Sequence, residues 1–255
     1  MIDRRQSHDL AVVILAAGKG TRMNSHKAKV LHPICGKPMI LFPVAAAREL
    51  GAEKIVIVVG HQADEVKDTV GRSGILYALQ REQLGTGHAV LQAKEALSDF
   101  QGTVMILCGD VPLLKPSTLK AFWDSHRQGG TILTILTVVP PDPGGYGRIV
   151  KDEQGGLRKI VEEKDADKEE KRIEEINTGI YCVEAGFLFE ALGSIKSDNA
   201  QDEYYLTDIV AAAVEKNLPV GAYRLDDHRE AMGINTPAQL KEAEGIMSDR
   251  RHDLY

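Results

Sequence analysis

The segment Leu15-Ala16-Ala17-Gly18-Lys19-Gly20-Thr21-Arg22-Met23, followed by Lys29 and then Gly36-Lys37-Pro38-Met39, has the makings of an anion site. Small residues let backbone N–H groups approach phosphate oxygens closely, and successive N–H groups in a turn form a concavity that binds anions. Arg22 adds a planar fork of donors suited to phosphate, and Lys29 a mobile point charge. The spacing fits neither familiar phosphate loop. A P-loop requires G-x-x-x-x-G-K-[ST], and here the second glycine comes too soon. A dinucleotide fingerprint requires G-x-G-x-x-G, and Gly18-x-Gly20 runs on to Met23. On glycine spacing alone a tight strand-to-loop turn explains the segment as well as a nucleotide site does. Arg22, Lys29 and the Gly-Lys-Pro string shift the reading towards phosphate.

A second chemical signal is Cys108-Gly109-Asp110-Val111-Pro112-Leu113. Asp110 follows the apolar run Val104 to Leu107, and open α/β sheets place ligands beyond the carboxyl ends of their strands. An isolated Asp there would by default form a turn. Glu162 follows the run Leu157 to Val161 in the same way, although it also opens a charged stretch, Glu162 to Glu175, that reads mostly as a solvated loop.

The elements that must carry these residues are legible as apolar runs. Leu10 to Leu15, Lys54 to Val59, Ile75 to Leu79, Val104 to Leu107 and Ile132 to Val139 are short and rich in Val and Ile, as parallel strands buried on both faces are. Between them, Pro38 to Leu50, Ala63 to Val70, His88 to Leu97 and Ser117 to His126 have helical spacing, with Pro38 at a helix start and Ser117 as a cap. The alternation predicts an α/β fold with a mixed, mostly parallel sheet flanked by helices. After Pro143 come three strands without crossover helices, Gly147 to Val150, Leu157 to Val161 and Ile176 to Val183, expected to be antiparallel. Helices over Tyr204 to Glu215 and Pro237 to Met247 flank a last strand, Val220 to Leu225. No linker, low-complexity tract or repeat interrupts the pattern, so residues 1–255 read as one domain with its core at about 10–247.

The 255 residues, 43% hydrophobic and 27% charged, have the composition of a globular protein. A formal charge of −6 argues against a broad basic surface for nucleic acid. Cys35, Cys108 and Cys182 form no C-x-x-C pair, which fits a reducing compartment and neither zinc nor a disulfide framework. The polar start, Met1 to Leu10, lacks the layout of a signal peptide, and the apolar run Ala11 to Ala17 is too short to cross a bilayer, so a cytoplasmic protein without a membrane partner is expected. The histidines show no metal-binding spacing; His88 is expected to pack or cap a helix and Trp123 to fill a helix face.

The first segment resembles the signature of the sugar nucleotidyltransferases, and the resemblance continues in order along the chain. It passes through Gln80-Arg81-Glu82-Gln83-Leu84-Gly85-Thr86-Gly87-His88-Ala89, the Cys108 to Leu113 string, Gly145-Tyr146-Gly147-Arg148, Val161-Glu162-Glu163-Lys164-Asp165 and Glu175-Ile176-Asn177-Thr178-Gly179. It ends with Asn199-Ala200-Gln201, Glu203-Tyr204-Tyr205-Leu206-Thr207-Asp208 and Gly233-Ile234-Asn235. Within that family it is most similar to the N-terminal half of bifunctional bacterial N-acetylglucosamine-1-phosphate uridylyltransferase/glucosamine-1-phosphate acetyltransferases. The resemblance implies a Rossmann-like, GT-A-like nucleotidyltransferase fold. It implies transfer of a uridylyl group from UTP to N-acetylglucosamine 1-phosphate with Mg²⁺, giving UDP-N-acetylglucosamine for cell-wall precursors. Leu15, Ala16, Ala17 and Gly18 with Gln80, Gly85 and Thr86 would hold the nucleotide. Arg22, Lys29 and Asp110 would be catalytic, Asp110 and Asn235 would bind the metal, and Gly147, Glu162, Asn177 and Thr207 would hold the sugar phosphate.

The chain departs from this family at Cys108, which reads as a small packing residue, and at Lys27-Ala28-Lys29, where Leu-Pro-Lys is usual. Loss of that Pro could loosen the loop, and Lys27 could compete with Lys29. With the sequence ending at Tyr255, no acetyltransferase activity is expected, and the state of assembly, monomer or weak oligomer, stays open. Two alternatives stand beside this reading: a pyrophosphorylase for another sugar 1-phosphate such as glucose 1-phosphate, and a non-catalytic nucleotide-sugar sensor.

Overall fold

The structure, a computed structural model, describes residues 9–252. The N-terminal stretch read against a signal peptide therefore lies outside the described residues except for Asp9 and Leu10. In chain order the elements are β1 (Leu10–Ala16), β2 (Pro33–Ile34), β3 (Lys37–Pro38), α1 (Leu41–Glu49), β4 (Lys54–Val59), α2 (Ala63–Val70), β5 (Leu76–Leu79), α3 (Thr86–Leu91), β6 (Thr103–Cys108), α4 (Pro116–Gly129), β7 (Leu133–Val138), β8 (Arg148–Lys151), β9 (Leu157–Val161), β10 (Ile176–Glu184), α5 (Ala185–Leu192), α6 (Asp208–Glu215), β11 (Val220–Arg224) and α7 (Pro237–His252).

The sheet runs β11-β7-β10-β6-β1-β4-β5, with β8 paired to β10 and β9 to β8. β1 lies parallel between β4 and β6, and β4 parallel to β5. β10 runs against both of its main neighbours, β6 and β7, while β11 is parallel to β7. Every strand of the main row except β10 thus points the same way. The antiparallel character expected after Pro143 is confined to β8, β9 and β10.

The apolar runs are continuous because both sheet faces are covered. Along β1, Val12 and Ile14 join a core with Val44 and Ala47 of α1 and Phe122 and Trp123 of α4. The alternate residues Ala11 and Val13 face Val90 of α3, Leu188 of α5 and Ile209 of α6. This is the period-two alternation of a strand, filled with apolar side chains on both sides. A third cluster packs Ile34, Met39 and Leu113 with Ile234 and Ala243, which seats the β2–β3 hairpin and α7 against the carboxyl end of the sheet.

Four expectations are corrected. Pro38 does not start a helix: Lys37–Pro38 pairs with Pro33–Ile34 across Cys35 and Gly36, both at positive φ, and the helix begins at Leu41. Such a two-residue left-handed turn sets up a hairpin in place of a helix start. Ser117 is not a cap, because α4 starts one residue earlier with Pro116 in its first turn and Lys115 before it. The segment Tyr204 to Thr207 is not helical, since its backbone is committed elsewhere: Tyr204 N–H donates to Leu84 O at 2.8 Å and Tyr204 O accepts from Gly87 N–H at 2.8 Å. The third expected helix starts at Thr86 rather than His88 and passes into a 3-10 turn, Gln92–Lys94. Among the described residues no helix is long and apolar enough to cross a membrane.

Candidate active site

At the carboxyl end of β1 and β6 opens a cavity of about 310 Å³, lined by Leu15, Ala16, Ala17, Gly18, Lys29, Gln80, Gly85, Thr86, Cys108 and Asp110, together with Val30, Gln83, Ala89 and Glu203. One wall is main chain. Gly109 N–H donates to Leu15 O at 2.9 Å and His61 N–H to Ala17 O at 3.3 Å, which fixes the turn leaving β1. Gly20 has φ +64, and a Cβ there would stand 2.5 Å from Lys29 Cβ, so glycine is what allows the two loop limbs to pass. Lys29 opens a 3-10 turn whose next residues, Val30 and Leu31, are buried; these anchors hold the base of its side chain.

Four charged or polar groups meet at the mouth. Lys29 Nζ donates to Asp110 Oδ2 and, at 2.9 Å, to Asn235 Oδ1; Arg22 donates to the same Asn235 oxygen at 2.9 Å. Asp110 sits beyond β6 and Asn235 just before α7, and Ile234 N–H to Asp110 O at 2.9 Å ties the two segments together. The Asp110 carboxylate and the Asn235 amide oxygen converge on one ammonium. Two hard oxygen donors so placed suit a cation that keeps most of its shell as water and substrate phosphate. Among the described residues no cluster of three or more His, Cys, Asp or Glu could hold a metal without such help.

The adjoining loop is stitched by its own side chains. Gln80 is buried and donates through Nε2 to Gly85 O at 3.1 Å, with His88 Nδ1 also at 3.1 Å. Thr86 Oγ1 accepts from Leu206 N–H at 3.0 Å. Gly85 has φ +110, and a Cβ there would meet Tyr204 O at 2.6 Å.

The second cluster lies beyond Tyr204. Thr207 Oγ1 donates to Glu162 Oε1 at 3.1 Å, and Asn177 N–H donates to Gly147 O at 2.8 Å. A Cβ on Gly147 would stand 3.5 Å from Glu162 Oε2, so Gly147, Glu162, Asn177 and Thr207 do come together. Burial pushes the Glu162 carboxyl above its ordinary value; the Thr207 hydrogen bond opposes this, and Asp208, Asp165 and Glu203 add to it. Between the clusters, the Cys108 thiol sits 3.6 Å from Gly179 O, and Gly179 N–H donates to Asn177 Oδ1 at 3.0 Å. Burial pushes that thiol up to about 12, with Asp110 adding and Lys29 opposing, so it stays protonated at neutral pH and is no nucleophile.

Residues 11–229 match the family model described as nucleotidyl transferase. The chain belongs to the nucleotidyl transferase family. It is 51% identical over 242 residues to the bifunctional protein GlmU of Geotalea daltonii, and 54% identical over 236 residues to that of Geobacter metallireducens. These alignments cover 94% and 92% of the chain but 53% and 50% of the relatives, so the chain spans about half the length of the curated relatives it matches. A solved UDP-glucose pyrophosphorylase, complexed with UDP-glucose, superposes with a TM-score of 0.77 over 95% of this chain and 99% of that one, at 19% identity, which speaks for the fold alone.

In this nucleotidyl transferase, Lys27 does not rival Lys29: it is exposed and lines a separate surface depression with His26, Gln62 and Glu65. Gln83, Val30, Ala89 and Glu203 line the cavity without having been singled out from sequence, although Gln83, Ala89 and Glu203 lie inside quoted motifs. A buttress behind Glu162 was also missed. Tyr205 OH donates to Asp165 Oδ2 at 3.1 Å, Gln201 donates to Tyr205 OH at 2.9 Å, and Ala200 N–H donates to Asp165 Oδ1 at 2.9 Å. Burial raises the Tyr205 phenol to about 12, so it remains a donor throughout the working range.

Proposed function

We propose that this chain is a uridylyltransferase that joins UTP and N-acetylglucosamine 1-phosphate, releasing pyrophosphate and UDP-N-acetylglucosamine, and that it works in the cytoplasm with Mg²⁺. The observation that carries the reading is the meeting of Lys29, Arg22, Asp110 and Asn235 at the mouth of a cavity whose wall is backbone from Leu15 to Gly18. The similarity to GlmU over more than nine-tenths of the chain supports the substrates. One sheet running unbroken through both clusters supports residues 10–247 acting as one catalytic unit. Three free cysteines fit the compartment.

In this reading the turn from Leu15 to Gly18 and the loop at Gln80, Gly85 and Thr86 hold the nucleotide. Glu162, Thr207, Asn177 and the backbone at Gly147 hold the sugar phosphate, since a carboxylate and an amide suit sugar hydroxyls and an acetamido N–H. A sugar-phosphate oxygen attacks the α-phosphorus of UTP, and the bond from that phosphorus to the bridging oxygen breaks on the opposite side. Pyrophosphate leaves with the bonding pair. Arg22 and Lys29 stabilise the charge that develops on the departing oxygens, and alignment of the two substrates supplies the rest. Asp110 and Asn235 would hold Mg²⁺, which when bound neutralises triphosphate charge. The nucleophile is already anionic, so no general base is required.

Pyrophosphate release from UTP with N-acetylglucosamine 1-phosphate, with and without Mg²⁺ and beside a panel of other sugar phosphates and nucleotides, tests this. Metal-dependent release, highest with the named pair, is expected. Faster release with glucose 1-phosphate would move the specificity, and silence from a folded protein that binds UDP-sugar would make it a sensor.

A further inference from the structure

The 3-10 turn that presents Lys29 is entered through Ala28, which is 1% exposed. A buried backbone N–H needs an acceptor, and that of Ala28 donates to Oε1 of Gln62, which borders the surface depression beside Lys27. Gln62 itself has φ 52 and ψ 45, a left-handed conformation that a non-glycine residue adopts at a cost. The segment around it also touches the turn after β1: His61 N–H donates to Ala17 O, and a Cβ on Gly60 would stand 2.8 Å from that same oxygen. Residues 60–62 therefore brace both the nucleotide-side turn and the limb that carries Lys29. Ala28 has φ −52 and ψ 136, an extended conformation whose φ a proline ring would fix, yet it has no ring and keeps its N–H.

We propose that Gln62 is a positioning residue for Lys29: its side-chain oxygen, by accepting the Ala28 amide, holds the Lys29 turn in the conformation that brings the ammonium to Asp110 and Asn235. The proposal rests on the role given to Lys29 above. It explains how a turn without proline at position 28 is kept rigid, and why Gln62 occupies a left-handed position that Gly or Asn would fill at less strain.

The test is steady-state turnover with whichever substrate pair of the panel is fastest, for Gln62→Ala, Gln62→Asn and the double variant Gln62→Ala/Ala28→Pro, with Lys29→Ala alongside. Asn tolerates the left-handed region but is one methylene too short to keep the bond, so it separates the bond from backbone strain, and it carries the test if Gln62→Ala does not fold. Both single variants are expected to lose kcat by roughly 10- to 100-fold, the scale of a misplaced catalytic group, with KM for the sugar phosphate little changed. Ala28→Pro, which removes the orphaned N–H and fixes φ, is expected to restore most of that loss in the Gln62→Ala background. Amide hydrogen exchange at residue 28 is expected to be slow in the native protein and faster in Gln62→Asn. Native kcat in Gln62→Asn, or a double variant that stays inactive at an unchanged thermal midpoint, would overturn the proposal. Native turnover in Lys29→Ala would instead sink the role of Lys29, and exchange at residue 28 would still decide whether the brace exists.

Discussion

The cavity and the second cluster, beyond Tyr204, are built by different means. Around the cavity, strand β1 and the loop after β5 offer main chain: the turn from Leu15 to Gly18 and the strained glycine at 85, held by Gln80 Nε2 on Gly85 O and by Leu206 N–H on Thr86 Oγ1. In the second cluster, antiparallel β8, β9 and β10 present side chains, Glu162 on Thr207 and Asn177 on Gly179, buttressed by Asp165, Tyr205 and Gln201. Backbone recognition is fixed by chain geometry and fails when a Cβ is added. Side-chain recognition depends on carboxylate charge and burial, and it answers to pH. Tyr204 to Thr207 joins the two, bonded to Leu84, Thr86 and Gly87 at one end and to Glu162 at the other.

Gly85→Ala puts the division under most strain. With φ +110 and a Cβ 2.6 Å from Tyr204 O, the variant is expected to lose about 1–3 kcal/mol of stability, the usual cost of a forbidden backbone conformation. Urea unfolding would measure it. KM for UTP should rise. An equal rise in KM for the sugar phosphate would show that Tyr204 to Thr207 transmits the disturbance, and the division would fail.

A smaller effect with opposite signs is expected of Glu162→Gln. Loss of the charged acceptor should raise KM for the sugar phosphate roughly tenfold, the scale of one hydrogen bond to a charged group. The same change should stabilise the fold at neutral pH. The Glu162 carboxyl is raised by burial, so the folded state binds its proton more tightly than the unfolded chain does. The native residue therefore favours folding fully only below the ordinary glutamate value and loses that contribution as pH rises through its raised one. The stability gain of Glu162→Gln over the native protein should accordingly shrink as pH falls, measured as thermal midpoints from neutral to acid pH. A gain that persists unchanged in acid would contradict the assigned burial.

Legibility in the sequence follows the same division. Apolar runs such as Val12 to Ile14 and Ile55 to Val59 marked the parallel strands because both faces are buried, and short motifs at strand ends marked Asp110 and the small-residue turn. Helix α5 went unread: Ala185-Gly186-Phe187-Leu188-Phe189 continues the apolar character of β10, so no change of period marks where the strand stops. Pro38 misled because a proline serves a hairpin edge as well as a helix start. Asn177 and Thr207 were legible only through the ordered series of motifs, since each alone is an ordinary polar residue, while Glu162 was also marked by its place after the run Leu157 to Val161. Gln62 was invisible for another reason: its partner, Ala28, lies 34 positions away, and a left-handed glutamine leaves no mark in a sequence.

The central claim is that Asp110, Asn235, Lys29 and Arg22 form a metal-assisted transfer centre at the mouth of the cavity. Its most direct test is pyrophosphate release titrated with Mg²⁺ in the native chain and in Asp110→Ala. The account predicts a saturable metal dependence in the native chain, and in the variant a loss on the order of 10²-fold or more with the fold intact, the scale of removing charge stabilisation from a transfer site. Native rates and an unshifted Mg²⁺ midpoint in Asp110→Ala would contradict it.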